Sequence, residues 1–531
     1  MSERYAKLKQ DWMLRGWSDQ AKTLVNWRTS EQRGLTNLAD FYVAESCDGQ
    51  TDFGSMAFLP QHLAMLELLI REGIAEDCPP GEVIAPWQRY REASNPRLTG
   101  IHWCVTGYCN MDCRHCYMEA PSGRYGQFPF EAMARLVEQF ERANVLEISL
   151  TGGEPFMRRD LLDIIQLLAD KKIRLTQVYS NGLLITDRHL EGIRKIGFTP
   201  AFQISFDGVG THDVMRGTTG TEPAVISAIR RLRAGGFPVA VATSIDKLNI
   251  GSVGETYELM KSLDIQTWRL SAPQEMGNWR GTTTATLLDE QAEVCLPLEQ
   301  RWLDDGRPFS IQLCGFFRGV RPRPSAAGLN GRAARGKTSN GSARPRSRRA
   351  ATRHGRSSEF PNATEQQKQY TLDGYDCGTC REQLNLLPDG TLVPCPGYVD
   401  SILQDRMPNL MREELSQAWS HSLLRQLADM KKKDLLPHNP ECATCELFKE
   451  CGLGCRATAL RETGNLMARD PVTCELCEKG YKKRFQAAAA VQPDRTERPL
   501  RSIPLAGRDQ KSGGGLMLSA FTRNAHRSAD S

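Results

Sequence analysis

Apolar and polar positions alternate through the middle of the chain in a rhythm that changes period every dozen residues. The run 145–150 predicts a buried strand. Before it, Phe130, Met133, Val137 and Phe140 recur at helical spacing; after it, Leu161, Ile164, Ile165 and Leu168 do the same behind an N-cap at Asp160. Further strands are predicted at 98–106, 174–179, 201–206, 239–244 and 266–270, with helices at about 187–196, 222–235 and 251–263. This alternation is the signature of parallel β/α units, and parallel barrels carry their chemistry at the carboxyl ends of strands. Residues 1–97 offer one amphipathic helix over 58–74 and a small satellite core around Trp12, Trp17 and Trp27.

Composition removes several alternatives. With 40% apolar and 25% charged residues, 531 residues can hold two or three domains with cores of their own. No run of 18 uncharged apolar residues is present, and Met1-Ser2-Glu3-Arg4 does not read as a signal peptide, so a soluble cytoplasmic protein without a membrane partner is expected. The formal charge of +5 is unevenly spread: residues 318–358 hold eleven arginines, one lysine and no acid, a local +12 that leaves the remainder at −7. That segment is too poor in large apolar residues to build a core and is expected to be disordered. It lacks interleaved aromatics for stacking on bases, so we read it as an insertion or a local frameshift and expect no nucleic-acid partner. The tail beyond about 485 also reads as disordered.

Seventeen cysteines in a reducing compartment are expected to be metal ligands rather than disulfides. Cys109, Cys113 and Cys116 form C-x3-C-x2-C directly after the strand 98–106. Three thiolates leave one iron of a [4Fe–4S] cubane open to a small chelating molecule; on this spacing alone a zinc knuckle or a structural thiol cluster stays open as well. Thr151-Gly152-Gly153-Glu154-Pro155 follows the strand ending at Leu150, where two glycines let backbone carbonyls approach an ammonium and Glu154 adds negative charge. Tyr179-Ser180-Asn181-Gly182 and Ser205-Phe206-Asp207-Gly208 end the next two strands. Asp207 reads as the first half of an Asp-Gly turn, His212 as a surface or structural residue, and Arg216 as a fork suited to a carboxylate.

Nine cysteines fall between Cys377 and Cys477. Cys380, Gly390 and Cys395 give C-x9-G-x4-C around a predicted hairpin turn at 386–391. Cys442, Cys445, Cys451 and Cys455 give C-x2-C-x5-C-x3-C, and Cys474 and Cys477 follow.

The first trio, the Gly-Gly-Glu turn and the β/α series resemble the radical S-adenosylmethionine (radical SAM) enzymes, and the C-terminal string resembles the SPASM domain of members that mature peptides and proteins. The resemblance implies an α/β fold: a leader or cap at 1–97, a partial (β/α)6 barrel at 98–315, the basic insertion at 316–372, an auxiliary-cluster domain at 373–486 and a tail at 487–531. It implies one [4Fe–4S] cluster on Cys109, Cys113 and Cys116, completed by SAM. Two auxiliary clusters are implied, one on Cys377, Cys380, Cys395 and Cys455 and one on Cys442, Cys445, Cys451 and Cys474, with Cys477 able to replace Cys474. SAM contacts are implied for Tyr117, Gly152, Gly153, Glu154, Ser180, Asn181, Ser205 and Arg216. Pro396 follows Cys395 where sulfatase-maturing members carry an acid, which points away from that subgroup. The expected activity is reductive cleavage of SAM to a 5′-deoxyadenosyl radical that oxidises, crosslinks or rearranges a peptide or small-protein side chain, with an electron from a ferredoxin or flavodoxin. In peptide-modifying relatives a leader such as 1–97 can dock the peptide; a cap on the barrel is the plainer alternative. A tetrapyrrole substrate and a non-catalytic iron–sulfur electron carrier are the competing functions.

Overall fold

The computed structural model describes residues 3–18, 20–314, 372–377 and 379–484, with only the backbone described for 314, 379, 380 and 422. All but the last residue of the segment 316–372, and the whole of 487–531, lie outside the described residues.

The N-terminal region is richer in strands than its sequence suggests. It runs β1 (Tyr5–Leu8), β2 (Trp12–Trp17), β3 (Gln20–Asn26), β4 (Gln32–Gly34), α1 (Leu38–Ser46), β5 (Asp48–Asp52), α2 (Pro60–Arg71), β6 (Ala75–Cys78) and β7 (Arg91–Ala93). β1 pairs antiparallel with β5 and β6, while β4, β3, β2 and β7 form a second sheet. Only α2 was expected, because β2 is buried at all six positions and shows no in-out alternation. The terminal nitrogens of its buried Arg15 donate to the carbonyls of Leu14, Trp87 and Arg89 at 2.7–3.1 Å. The three tryptophans do not share one satellite core. Trp12 packs within the N-terminal core, whereas Trp17 and Trp27 join the main core, so this region is anchored on the rest of the molecule.

The main sheet follows: β8 (Gly100–Cys104), α3 (Phe130–Arg142), β9 (Glu147–Thr151), α4 (Leu161–Asp170), β10 (Arg174–Ser180), α5 (Asp187–Ile196), β11 (Ala201–Ser205), α6 (His212–Arg216), α7 (Glu222–Ala234), β12 (Val239–Ser244), α8 (Val253–Ser262), β13 (Thr267–Ser271), α9 (Leu288–Asp304) and β14 (Ser310–Cys314). Strands β8 to β14 are parallel neighbours in chain order. They number seven rather than six: Ser310–Cys314 is as long as β8, but its Ser-Ile-Gln-Leu-Cys mixes polar and apolar positions and runs straight into the arginine-rich segment. The helices bury the faces the periodicity marks; Phe140 of α3 sets its ring edge-on to Trp103 of β8 at 5.2 Å. On the opposite face, His102 Nδ1 meets Ser149 Oγ at 2.8 Å and its ring lies 4.8 Å from Tyr179, so the strands turn polar groups inward. Asp160 precedes α4 as expected but makes no capping bond; Arg158 grips its carboxylate at 2.9 and 2.6 Å instead.

The last two strands come from the C-terminal region. β15 (Gln383–Leu386) adds parallel to β8, from Gln383 beside Gly100 to Leu386 beside Trp103, and β16 (Leu392–Val393) returns antiparallel through the expected hairpin. The order β14-β13-β12-β11-β10-β9-β8-β15-β16 therefore makes one nine-stranded sheet of the barrel and the cysteine-rich region. Among the described residues no helix is long and apolar enough to cross a membrane.

Candidate active site and thiol clusters

The loop after β8 is keyed to the neighbouring strand ends by backbone contacts that tolerate no side chain. Gly153 N donates to Thr106 O at 2.8 Å and Glu154 N to Tyr108 O at 2.9 Å. A Cβ on Gly153 would stand 2.1 Å from Tyr108 O; one on Gly152, which has φ +143°, would stand 2.5 Å from Thr106 O. The glycines are thus required by the cysteine loop itself, a reason the sequence does not disclose. Glu154 is fully buried, and its carboxylate accepts from Phe156 N (3.1 Å), Ser180 Oγ (2.9 Å) and Asn181 N (2.8 Å), bracing the tip of β9 to the tip of β10. Burial pushes this carboxyl up to about 7.

Each of the three sulfurs meets an N–H donor. Asn181 Nδ2 lies 3.9 Å from Cys109 Sγ while bonding Asn110 Oδ1 at 2.8 Å. Arg216 Nη1 points at Cys113 Sγ from 3.5 Å, and Ala120 N reaches Cys116 Sγ at 3.4 Å. Burial pushes the Cys109 thiol up to about 12, so the bare side chain holds its proton near neutrality and a bound cation is needed to make it a thiolate. Donors aimed at all three sulfurs fit a trio that carries negative charge on iron. Two residues without a sequence motif complete the clamp: Asn278 Nδ2 donates to Cys113 O and Asn278 N to Cys116 O, both at 3.0 Å. The adjacent Gly277 (φ +52°) leaves no room for a Cβ against Cys116 O.

Other expected residues lie around this loop. Ser205 ends β11. Tyr117 turns its hydroxyl toward Cys104, and burial raises its pKa well above the usual value. Asp207 is not a solvent turn: it is fully buried, with Oδ2 2.8 Å from Arg216 Nε and 3.6 Å from His115 Nε2. His212 is no surface residue either; it is buried, accepts from Asp207 N at 3.1 Å and stacks on Phe206 at 5.0 Å. An Asp at a strand end five residues before His-Asp-x-x-Arg was the available signal for this cluster.

The C-terminal cysteines gather in two groups. Cys395 is half-buried, and the charges of Cys455 and Cys377 add to its desolvation in raising its pKa, which places the three thiols together. The buried Asp376–Arg456 ion pair at 3.1 Å joins the residues next to Cys377 and Cys455, and Asp470 accepts from Cys455 N at 2.9 Å. Cys380 lies in the short helix Thr379–Glu382, its side chain outside the described residues. The second group lines a cavity of about 190 Å³: Cys442, Cys445, Cys451, Cys474 and Cys477. Cys474 and Cys477 sit three residues apart on the helix Pro471–Glu478, hence on one face. Cys477 is 3% exposed, whereas Cys474 bonds Glu478 at 3.3 Å nearer the surface. Among the described residues, no three His, Cys, Asp or Glu side chains close around a single metal ion.

The sequence profile of the radical SAM superfamily matches residues 103–260, and that of the SPASM iron–sulfur cluster-binding domain matches 377–446. The chain thus combines a radical SAM domain with a SPASM domain, and as a radical SAM enzyme it works with [4Fe–4S] clusters and S-adenosylmethionine. An AdoMet-dependent heme synthase of Nitratidesulfovibrio vulgaris is 26% identical over 75% of this chain and 96% of its own. PqqA peptide cyclase of Gluconobacter oxydans is 24% identical over 74% and 94%. Among solved structures, Streptococcus suis SuiB bound to S-adenosylmethionine matches with a TM-score of 0.58 and 14% identity over 88% of this chain and 99% of that one, a likeness of fold.

Proposed function

We propose that this enzyme cleaves SAM reductively at a cluster held by Cys109, Cys113 and Cys116 and directs the radical at a side chain of a peptide or small protein. The observation that carries the reading is the trio itself, three thiols on one loop at adjoining strand ends, each met by an N–H donor. When bound, the cluster and SAM supply a 5′-deoxyadenosyl radical that abstracts hydrogen. The chain's own part is positioning. Gly152 and Gly153 seat the cysteine loop, and Glu154 levels Ser180 and Asn181 with Cys109. Ser205 and Arg216 would meet the carboxylate of SAM, and Tyr117 would be a further contact of the cofactor. Cys377, Cys380, Cys395 and Cys455 would hold one auxiliary cluster, and Cys442, Cys445, Cys451 and Cys474 the other, able to take up an electron left on an oxidised substrate. A ferredoxin- or flavodoxin-like donor would provide the starting electron.

The N-terminal module favours a peptide. The likeness to SuiB covers more of the chain than residues 98–531 amount to, so it reaches into this module, and SuiB has been solved with its precursor peptide SuiA. The module also leaves β5 and β6 at sheet edges and exposes Leu38, Tyr42 and Met56, features suited to an added peptide strand. A second reading, a tetrapyrrole side chain, is favoured by the heme synthases, which align over nearly their whole length.

The test is anaerobic incubation of iron-replete protein with SAM and dithionite. Release of 5′-deoxyadenosine that disappears in the Cys109, Cys113 and Cys116 to Ala variant is expected; no release would make the protein an electron carrier. Faster release and a mass change on a short peptide encoded beside the gene would separate the peptide reading from the porphyrin one, for which iron-coproporphyrin is the probe.

A further inference from the structure

Arg216 is held from two sides, and the side away from Cys113 is occupied by a carboxylate that solvent does not reach. Asp207 Oδ1 accepts from Ser244 N at 2.8 Å, so its orientation is fixed by the tip of β12. Its Oδ2 stands 2.8 Å from Arg216 Nε without an aligned hydrogen bond on either atom, an attraction of charges rather than a directed bond. Burying such a pair costs several kcal/mol per ion before the partners compensate, so stability alone is a weak reason to keep it there. Around it, residues 212–217 are fitted to the cysteine loop on both sides of Cys113: Arg114 N donates to Met215 O at 3.0 Å, and Gly217 (φ +64°) would drive a Cβ to 2.1 Å from Asp112 O. The guanidinium is therefore carried to the sulfur by a rigid connection, with the Asp207 carboxylate against its Nε.

Hydrogen bonds to ligand sulfurs and nearby positive charge raise the potential of an iron–sulfur cluster. We propose that Asp207 is a positioning residue that aims Arg216 at Cys113 Sγ, and that the aimed guanidinium raises the reduction potential of the cluster on Cys109, Cys113 and Cys116. One electron then passes more readily from the external low-potential donor to that cluster. This inference rests on the cluster assignment proposed above.

The measurement is a potentiometric titration of iron-replete protein without SAM, followed by electron paramagnetic resonance, of the signal that changes in wild type when SAM is added and that the triple Cys109, Cys113 and Cys116 to Ala variant lacks. Both Arg216→Gln and Asp207→Asn are expected to move its midpoint downward, Asp207→Glu to restore part of the shift, and signals indifferent to SAM to stay in place. The direction for Asp207→Asn decides the matter. Removing a buried negative charge near a cluster by itself raises the potential, so only loss of the Arg216 aim lowers it. An unchanged or raised midpoint overturns the inference, as does loss of iron from the trio in Asp207→Asn, Asp207→Glu and Arg216→Lys alike, which would make the pair structural. Wild-type protein without any SAM-responsive signal would instead defeat the cluster assignment.

Discussion

The two thiol-rich regions of this molecule are held in opposite ways. Around Cys109, Cys113 and Cys116 the protein supplies the frame: three N–H donors reach the sulfurs, and glycines at 152, 153, 217 and 277 let backbones lock together. Around Cys442, Cys445, Cys451, Cys474 and Cys477 the thiols themselves surround a cavity, on short helices whose described bonds to sulfur are few. A frame built by the barrel should persist without metal. A region organised around its ligands should take its folding energy from the metal, as small metal-bound domains do.

Removing the metal gives the largest expected contrast. After anaerobic chelation of all iron, hydrogen exchange should lose protection across 440–484 while β8 to β14 stay protected; melting of the strands first would reverse the comparison. Next comes the triple Cys109, Cys113 and Cys116 to Ala variant, for which iron analysis should fall from about twelve to about eight per chain, at four per cubane. An unchanged count would remove the first region from iron chemistry altogether. Gly153→Ala probes the frame directly. Its Cβ meets a carbonyl that cannot step aside, so a loss of about 2–3 kcal/mol in urea unfolding is expected, with SAM affinity falling alongside.

Glu154 gives the first region a pH dependence of its own. Its folded pKa is raised to about 7, so between about 4.5 and 7 the folded state keeps a proton that the unfolded chain releases, and stability falls as pH rises through that window. The contribution is at most about 3 kcal/mol, and Glu154→Gln should abolish it in melts of the iron-free protein. The smallest effect is expected in the second region. With five thiols around one cavity, Cys474→Ser and Cys477→Ser singly should each retain the iron of wild type, and only the double variant should lose about four atoms.

What could be read from the sequence followed the same division. Spacing alone located the trio, the Gly-Gly-Glu turn and six of the seven parallel strands, because periodicity and motif are local. The clamp residues Gly277 and Asn278 could not be found that way, since their role is to meet backbone atoms of residues about 160 positions earlier. Asp207 was misread for a related reason: Asp-Gly is a turn by local propensity, and burial behind Arg216 is a tertiary fact. In the N-terminal region, short and wholly buried strands such as β2 carry no alternation to detect, so the pattern yielded one helix where a β-rich module stands.

The pairing of β15 with β8 carries a consequence for biosynthesis. The loop that bears the first trio hangs from β8, yet the neighbour that covers the free edge of that strand leaves the ribosome 283 residues later, tens of seconds at about 5–20 residues per second. During that interval a nascent strand with open amide and carbonyl groups is available to any other extended chain. A cluster on the trio would therefore gain its finished wall only after about three quarters of the polypeptide, through Leu386 of 531 residues, has emerged.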